Sequence, residues 1–323
     1  MRKRMTTVLI GGLALAGFGA IAPAQAALTT FCDGEAGGVT VPGDLVVGAG
    51  DACSLEDTVI NGNVRVAAGA DLVADGLTVN GNVTVQGEGY LDLVNSTVTG
   101  NVVNRGAFGV YLDYTTANAY TANANVNPDS FLWTYEADFS GRVLATGGSV
   151  LLESTVANRA VETSDTQYTD ILDSVVGGAL TVTGTDFGAL VCGSEVDGHA
   201  TFASNGEGVQ LGAGGALGDC ELGTSVWGGN VTVAGTTGHV QVSDNIIRGN
   251  LDGTGNESVA QSDNRIRGEL RGQFAEQAQQ RMRMQLEAPA AESGAEREVL
   301  EQLRSERLGK AEADAEKAGP ANL

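Results

Sequence analysis

The stretch Thr78–Val85, TVNGNVTV, reads locally as a hairpin, because Asn-Gly between alternating valines is the strongest short hairpin signal. Yet TVINGNVRV (Thr58–Val66) and STVTGNVV (Ser96–Val103) flank it at the same spacing on either side. A hairpin has no reason to recur at a fixed interval. Taking the glycine as origin, equivalents fall at Gly62, Gly81, Gly100, Gly141, Asn158, Gly178, Gly198, Gly229, Gly249 and Gly268, mostly about twenty residues apart. The step of 41 from Gly100 to Gly141 is two units, or one unit with an insertion. Such a period marks a solenoid.

The columns say which kind. Two residues before the origin stand Ile60, Val79, Val98, Phe139, Val156, Val176, Val196, Trp227, Ile247 and Ile266, and two after it stand chiefly Val, Leu and Ala. Four before it run Thr58, Leu77, Ser96, Ala137, Ser154, Ser174, Ser194, Ser225, Asn245 and Asn264. Apolar residues at period two mark short strands with one buried face. A meander reverses at each turn, so its equivalent positions would not be neighbours. A coil advancing one strand spacing per turn, about 4.8 Å, stacks like on like and lets the Ser/Asn column pass hydrogen bonds upward. The expected fold is all-β: a parallel β-helix over 42–272, of about 11–12 coils of about 20 residues. Gly-Asn then reads as a corner, with Gly or Asn supplying a positive φ.

Open ends of such a rod need caps. Residues 27–41, tied down by Cys32, are the expected N-terminal cap. After Gly272 the composition turns to Ala, Glu, Gln, Arg and Leu with helical spacing, so 273–323 reads as a helical, partly disordered, charged tail. Its first piece, with Phe274, Ala278, Met282 and Leu286, is placed to cover the last coil. The second reads as a mobile tail or a weak coiled-coil element.

At the other end, MRKRM, an apolar run and Ala24-Gln25-Ala26 make residues 1–26 a signal peptide, with a mature start at Ala27 and no membrane span afterwards. The expected location is secreted, extracellular, or held non-covalently at the cell surface. Export removes Arg2, Lys3 and Arg4, taking the net charge from −22 to −25. That charge repels phosphates and excludes nucleic acid as a partner. An extracellular polysaccharide or cell-wall component fits, and the chain reads as a monomer. Four cysteines in an oxidising compartment favour disulfides, and spacing selects Cys32–Cys53 and Cys192–Cys220 among three connectivities. No metal site is expected, since C-x-x-C is absent and only His199 and His239 could assist. No cofactor is implied; the acidic surface could attract Ca²⁺, but no ligand spacing specifies it.

The coil period, the Gly-Asn corners and the Ser/Asn ladder resemble the right-handed parallel β-helices of the pectin-lyase-like superfold, over roughly residues 42–272. The coils NIIRGNL (Asn245–Leu251) and NRIRGEL (Asn264–Leu270) are also similar to uncharacterised secreted actinobacterial proteins reading N-x-[IV]-x-G-N-L. Bactofilins share a short-coil pattern but match less well, lacking export signals and disulfides. The superfold includes pectate lyases, polygalacturonases, adhesins and passenger domains, so the fold selects no chemistry.

Two groups of residues are candidates for function. A glycosidase needs paired carboxylates on one outer face, and the densest acidic neighbourhood holds Asp165, Asp170 and Asp173, then Glu195 and Asp197 one coil on. A lyase needs acidic ligands beside an arginine, and Arg159 with Asp197 and His199 lies at the origin corner. Filling of solvent-facing turns in an acidic protein explains the same residues. Region 103–140 breaks the period and holds half the aromatics, so Tyr111, Tyr114, Tyr120, Trp133 and Tyr135 are either a self-packed insertion or a platform for sugar rings. The leading functional expectation is a non-enzymatic extracellular or surface protein, structural or adhesive, that binds polysaccharide through these aromatics. The alternative is a polysaccharide lyase or glycoside hydrolase.

Overall fold

The computed structural model describes residues 28–123, 127–281 and 294–323; the expected signal peptide, Met282 and Leu286 lie outside them. The chain winds as a parallel β-solenoid with three short strands per coil. Thr78–Val79, Val83–Gln86 and Tyr90–Val94 are one such set, and we call their positions faces 1, 2 and 3. Face 3 is a sheet of 12 strands, and faces 1 and 2 share one of 23. Ile60 pairs with Val79 and Val79 with Val98, while Val64, Val83 and Val102 stack in the same way. TVNGNVTV is thus a corner between two strands of one coil.

Alternation decides what is inside. The valines, leucines and isoleucines of all three faces form one continuous core. The polar column lies beside it, and Ser96, Thr115, Ser174, Ser194, Ser225 and Asn264 each accept the backbone N–H of the coil before. Leu77 donates to Ser96 Oγ at 3.1 Å, Thr155 to Ser174 Oγ at 2.9 Å and Asn245 to Asn264 Oδ1 at 3.0 Å. These bonds satisfy backbone donors that would otherwise be buried without a partner.

Of the two readings of the step of 41, the structure takes the first: it is two full coils, the extra one carrying Thr116–Ala122. Its corner is one residue shorter, with a register shift between Val98 and Asn101, so Gly-Asn has no place there. Gly109–Asp113 and Phe131–Tyr135 are regular face 3 strands, so the described strands of 103–140 belong to the solenoid, with a longer connection from Ala122 to Phe131 than from Arg105 to Gly109. In the coil near Asn158, Ala157 pairs with Phe139 and Val176, and Val161 with Val143 and Leu180. Arg159 is the true origin, and Thr155, not Ser154, enters the ladder. Ser154 instead holds a left-handed backbone (φ 48°) that turns the chain one residue before the ladder.

The positive φ also lies elsewhere than expected. The residue before the ladder carries it: Asp57, Asn95, Tyr114, Glu136, Ser154, Asp173, Asp244 and Asp263 form one left-handed column. The glycine of Gly-Asn is required for a different reason, close stacking. A Cβ on Gly81 would lie 2.6 Å from the Gly62 carbonyl oxygen, and one on Gly198 2.6 Å from that of Gly178. The asparagine after it builds a second ladder, with the Asn82 and Asn101 N–H groups donating to Asn63 and Asn82 Oδ1 at 3.0 and 2.8 Å.

Both ends are closed by the chain itself. Residues 29–41 carry strands that pair into the same three faces, and Cys32 is bonded to Cys53. At the far end, helix α1 (Gln273–Arg281) inserts Phe274, fully buried, under the last coils. Helix α2 (Gly294–Ala318) then runs back along the outside of face 3 towards the first coil. There the Glu35 N–H donates to the Gly319 carbonyl at 2.9 Å, and the Ala321 N–H donates to the Glu35 carbonyl at 2.7 Å. The second helical piece is thus a docked strap, held by contacts over two hundred residues away in sequence. Cys192–Cys220 pins the loop that covers Leu190. No described helix is long and apolar enough to cross a membrane.

Candidate functional site

The carboxylates singled out from sequence occupy three different parts of the coil. Asp165 is exposed at the left-handed corner between faces 2 and 3 (φ 51°). Asp173 is exposed at the opposite corner, between faces 3 and 1, where it accepts a 3.5 Å bond from Ser154 Oγ. Asp170 stands between them on face 3, buried. Glu195 is level with Val175 on face 1 and points outward, as does Asp197 at the next corner. Asp165 and Asp173 are thereby turn residues at the two ends of one strand. Arg159 is exposed at the origin corner two coils from Gly198. His199 sits in the asparagine column, and its Nδ1 accepts the Asn230 N–H at 2.9 Å, as asparagine oxygens do in other coils. Among the described residues no group of three His, Cys, Asp or Glu could hold a metal ion.

The aromatics divide differently. Tyr120 points into the core, where its hydroxyl accepts from Asn104 Nδ2 at 3.0 Å. Trp133 lies beneath α2, and its indole donates to the Tyr168 hydroxyl at 3.1 Å. Tyr111 lies beneath the Arg304 guanidinium, 3.3 Å from the ring centroid. Only Tyr114, 50% exposed, and its neighbour Tyr135 face solvent together, edge to face with centroids 5.8 Å apart. The Tyr114 hydroxyl donates to Glu136 Oε1 at 2.8 Å, and that bond pushes its pKa up to about 12.

Tyr114 is out of place by backbone standards. Its φ of 44° falls in the left-handed column, where other coils put Asp, Asn, Ser, Gly or, in the next coil, Glu136. A bulky residue there is a genuine outlier, since its Cβ crowds the following carbonyl. The fold holds a large aromatic in a conformation its neighbours give to the polar Asn95 and Glu136, and turns it outward.

A second concentration of chemistry was not singled out from sequence. On the outer side of face 3, Asp71 and Asp92 are 2% and 1% exposed, interleaved with Tyr90, Phe108, Phe131 and Trp133. The Tyr90 hydroxyl donates to Asp92 Oδ2, which also accepts from Arg304 Nη2 at 3.2 Å. Asp71 Oδ1 accepts from Arg307 Nε at 2.8 Å and Nη2 at 2.6 Å, and Arg307 lies near the Phe108 ring. Burial raises the pKa of both carboxyls above the ordinary range, outweighing the hydrogen bonds and the arginines. Burial likewise pushes Tyr111 up to about 12. Each arginine thus meets an aromatic face and a dry carboxylate, a setting that suits the planar guanidinium. A local signal existed: charged residues inside strand patterns (DLVAD, YLDLV) and two arginines at i, i+3 in the tail.

The chain matches no protein-family model, no curated protein and no solved structure.

Proposed function

We propose that the protein is a secreted, non-enzymatic extracellular or cell-surface β-solenoid with a structural or adhesive role, binding polysaccharide at the edge where Tyr114 and Tyr135 stand. The observation that carries this is Tyr114 itself, an exposed ring at a left-handed position. Strained backbone persists only where the surrounding structure over-determines it, and it concentrates at ligand sites. Beside the rings lie Asn95 and Glu136, exposed and able to bond sugar hydroxyls. Exit from the cell fits the N-terminal sequence, and the two disulfides fit an oxidising compartment.

The test is a pull-down on insoluble polysaccharides and cell-wall preparations with Tyr114→Asn. Asparagine is native at the equivalent Asn95 (φ 48°), so the variant should be as stable as the parent or more so. Retention on the polymer should fall at least tenfold. Undiminished retention removes the Tyr114 edge from the account. The enzymatic alternative, through Asp173, Glu195 and Asp197, predicts new reducing ends or unsaturated products in the same panel.

A further inference from the structure

We infer that the edge of Tyr114 and Tyr135 takes a glycan bearing free ammonium groups, an amino-sugar polymer, and turns away polyuronates. The inference rests on the reading of that edge as a polysaccharide site and adds the charge of the ligand. It comes from what stands in register with the rings. Tyr135 pairs with Asp113 in the coil before and with Glu153 in the coil after. Tyr114 is followed at the next left-handed position by Glu136, whose Oε1 accepts its hydroxyl at 2.8 Å and whose second oxygen has no partner among the described residues. Each ring therefore has a carboxylate one strand spacing away, about 4.8 Å. A tyrosine face attracts a cation, and a neighbouring carboxylate can accept that cation's N–H groups.

The rest of the edge has the same sign. Glu56, Asp57, Asp75 and Asp173 continue it on both sides, and the paired corner positions from Glu56 and Asp57 to Leu172 and Asp173 hold no Lys or Arg. The arginines of these coils stand elsewhere. Arg65 is on face 2, Arg105 ends a face 2 strand, and Arg142 and Arg159 lie at the corner between faces 1 and 2. Arg304, over the Tyr111 ring, is held by Asp92 and Glu301. Asp113 keeps a buried Oδ1 with no hydrogen-bond partner among the described residues, so no donor offsets that oxygen. The carboxylates run along the rod instead of converging, and among the described residues no group of three could hold a metal ion. That layout suits cations spaced along a polymer better than one divalent ion, which needs several oxygens around a point. A polyuronate on the same edge would bring like charges together, which disfavours it.

Titration calorimetry of the full chain with short glucosamine oligomers, the same oligomers fully N-acetylated, and oligogalacturonates tests this. The amino oligomer should bind, and the complex should weaken with added salt. Tyr114→Asn, which leaves the net charge unaltered, should lower its affinity about tenfold. Glu136→Gln should lower it about fivefold, while Glu162→Gln, the same charge change on face 2, should leave it unchanged. Tyr114-dependent binding of the acetylated oligomer at equal strength, or of the uronate in preference, overturns the ammonium requirement and keeps the edge as a sugar site. Failure of all three oligomers to bind removes the sugar site as well. Binding of the amino oligomer that Tyr114→Asn and Glu136→Gln both leave intact is attraction to the acidic chain as a whole, and overturns the proposal. So does a lysine peptide that binds as tightly with the same dependence on Tyr114.

Discussion

Replacing Arg307 by alanine removes the cation that faces a carboxylate only 2% exposed. Its guanidinium makes two bonds to Asp71 Oδ1 and one, at 3.0 Å, to the Glu88 carbonyl. Breaking one partner of a buried pair costs about 3–5 kcal/mol where the site cannot relax. Here it can relax, because α2 can lift and admit water. The loss is then bounded by the docking free energy of the helix, to which Leu300, Ala311 and Ala315, with the partly buried Leu308, contribute the apolar area. We expect about 2–3 kcal/mol, appearing as local opening instead of global unfolding. Native-state hydrogen exchange should show amides across Leu300–Ala315 exchanging roughly 30- to 150-fold faster. Amides of the distant face 3 strand His239–Ser243 should be unchanged. Adding Asp71→Asn should restore part of the protection, since it removes the stranded charge. Unaltered exchange across α2 in the single variant would refute the claim that this pair holds the strap.

Protection of α2 should also depend on pH, in a direction opposite to that of an ordinary salt bridge. Asp71 and Asp92 titrate above the usual carboxylate value of 3.8 because burial dominates. The folded chain therefore binds protons where the unfolded chain has released them. The contribution of these groups is full below the ordinary value and is lost as pH rises through the raised ones. Once corrected for intrinsic rates, exchange across α2 should slow as pH is lowered from neutrality towards the ordinary carboxylate value, and the reverse trend would contradict the burial argument. Gly81→Ala should cost about 1–3 kcal/mol through its clash with Gly62, whereas Gly50→Ala, at φ 80° with open space around it, should cost about 1 kcal/mol from backbone strain alone; denaturant titration distinguishes them. His199→Asn should be neutral and His199→Ala should lose about 1 kcal/mol, because only asparagine keeps an acceptor for the Asn230 N–H. Equal losses in the two variants would remove His199 from the ladder.

The solenoid was legible because its information is local and repeated: valine columns and corner glycines recur every coil and check one another. That information fails where a single coil departs from the repeat. At Val156 and Ala160 two apolar residues imitate the inward positions, and nothing in VANRAV reveals that Ser154 turns the chain early. The short corner after Asn118 lacks Gly-Asn, so the sequence leaves its coil open between a full unit and an insertion. The strap was illegible for another reason. Arg304 and Arg307 meet partners 212 and 236 residues away, and no local periodicity encodes which face a helix docks upon. The aromatics depend on it too: Tyr111 and Trp133 fit a packed group or an open platform equally until α2 is laid over them, and Tyr120 faces inward only in the true register.

All of this depends on equivalent residues of successive coils lying side by side. The most direct test is a cysteine pair at Thr78 and Thr97, which register with each other on adjacent parallel strands. Their Cα separation should fall within the 4.4–6.8 Å typical of disulfides. Under mild oxidation the folded double variant should form this bond nearly completely, identified by peptide mass mapping. A hairpin at Asn80-Gly81 would instead oppose Thr78 to Val83. Crosslinking of a Thr78→Cys/Val83→Cys variant, with none between positions 78 and 97, would contradict the stacked coil.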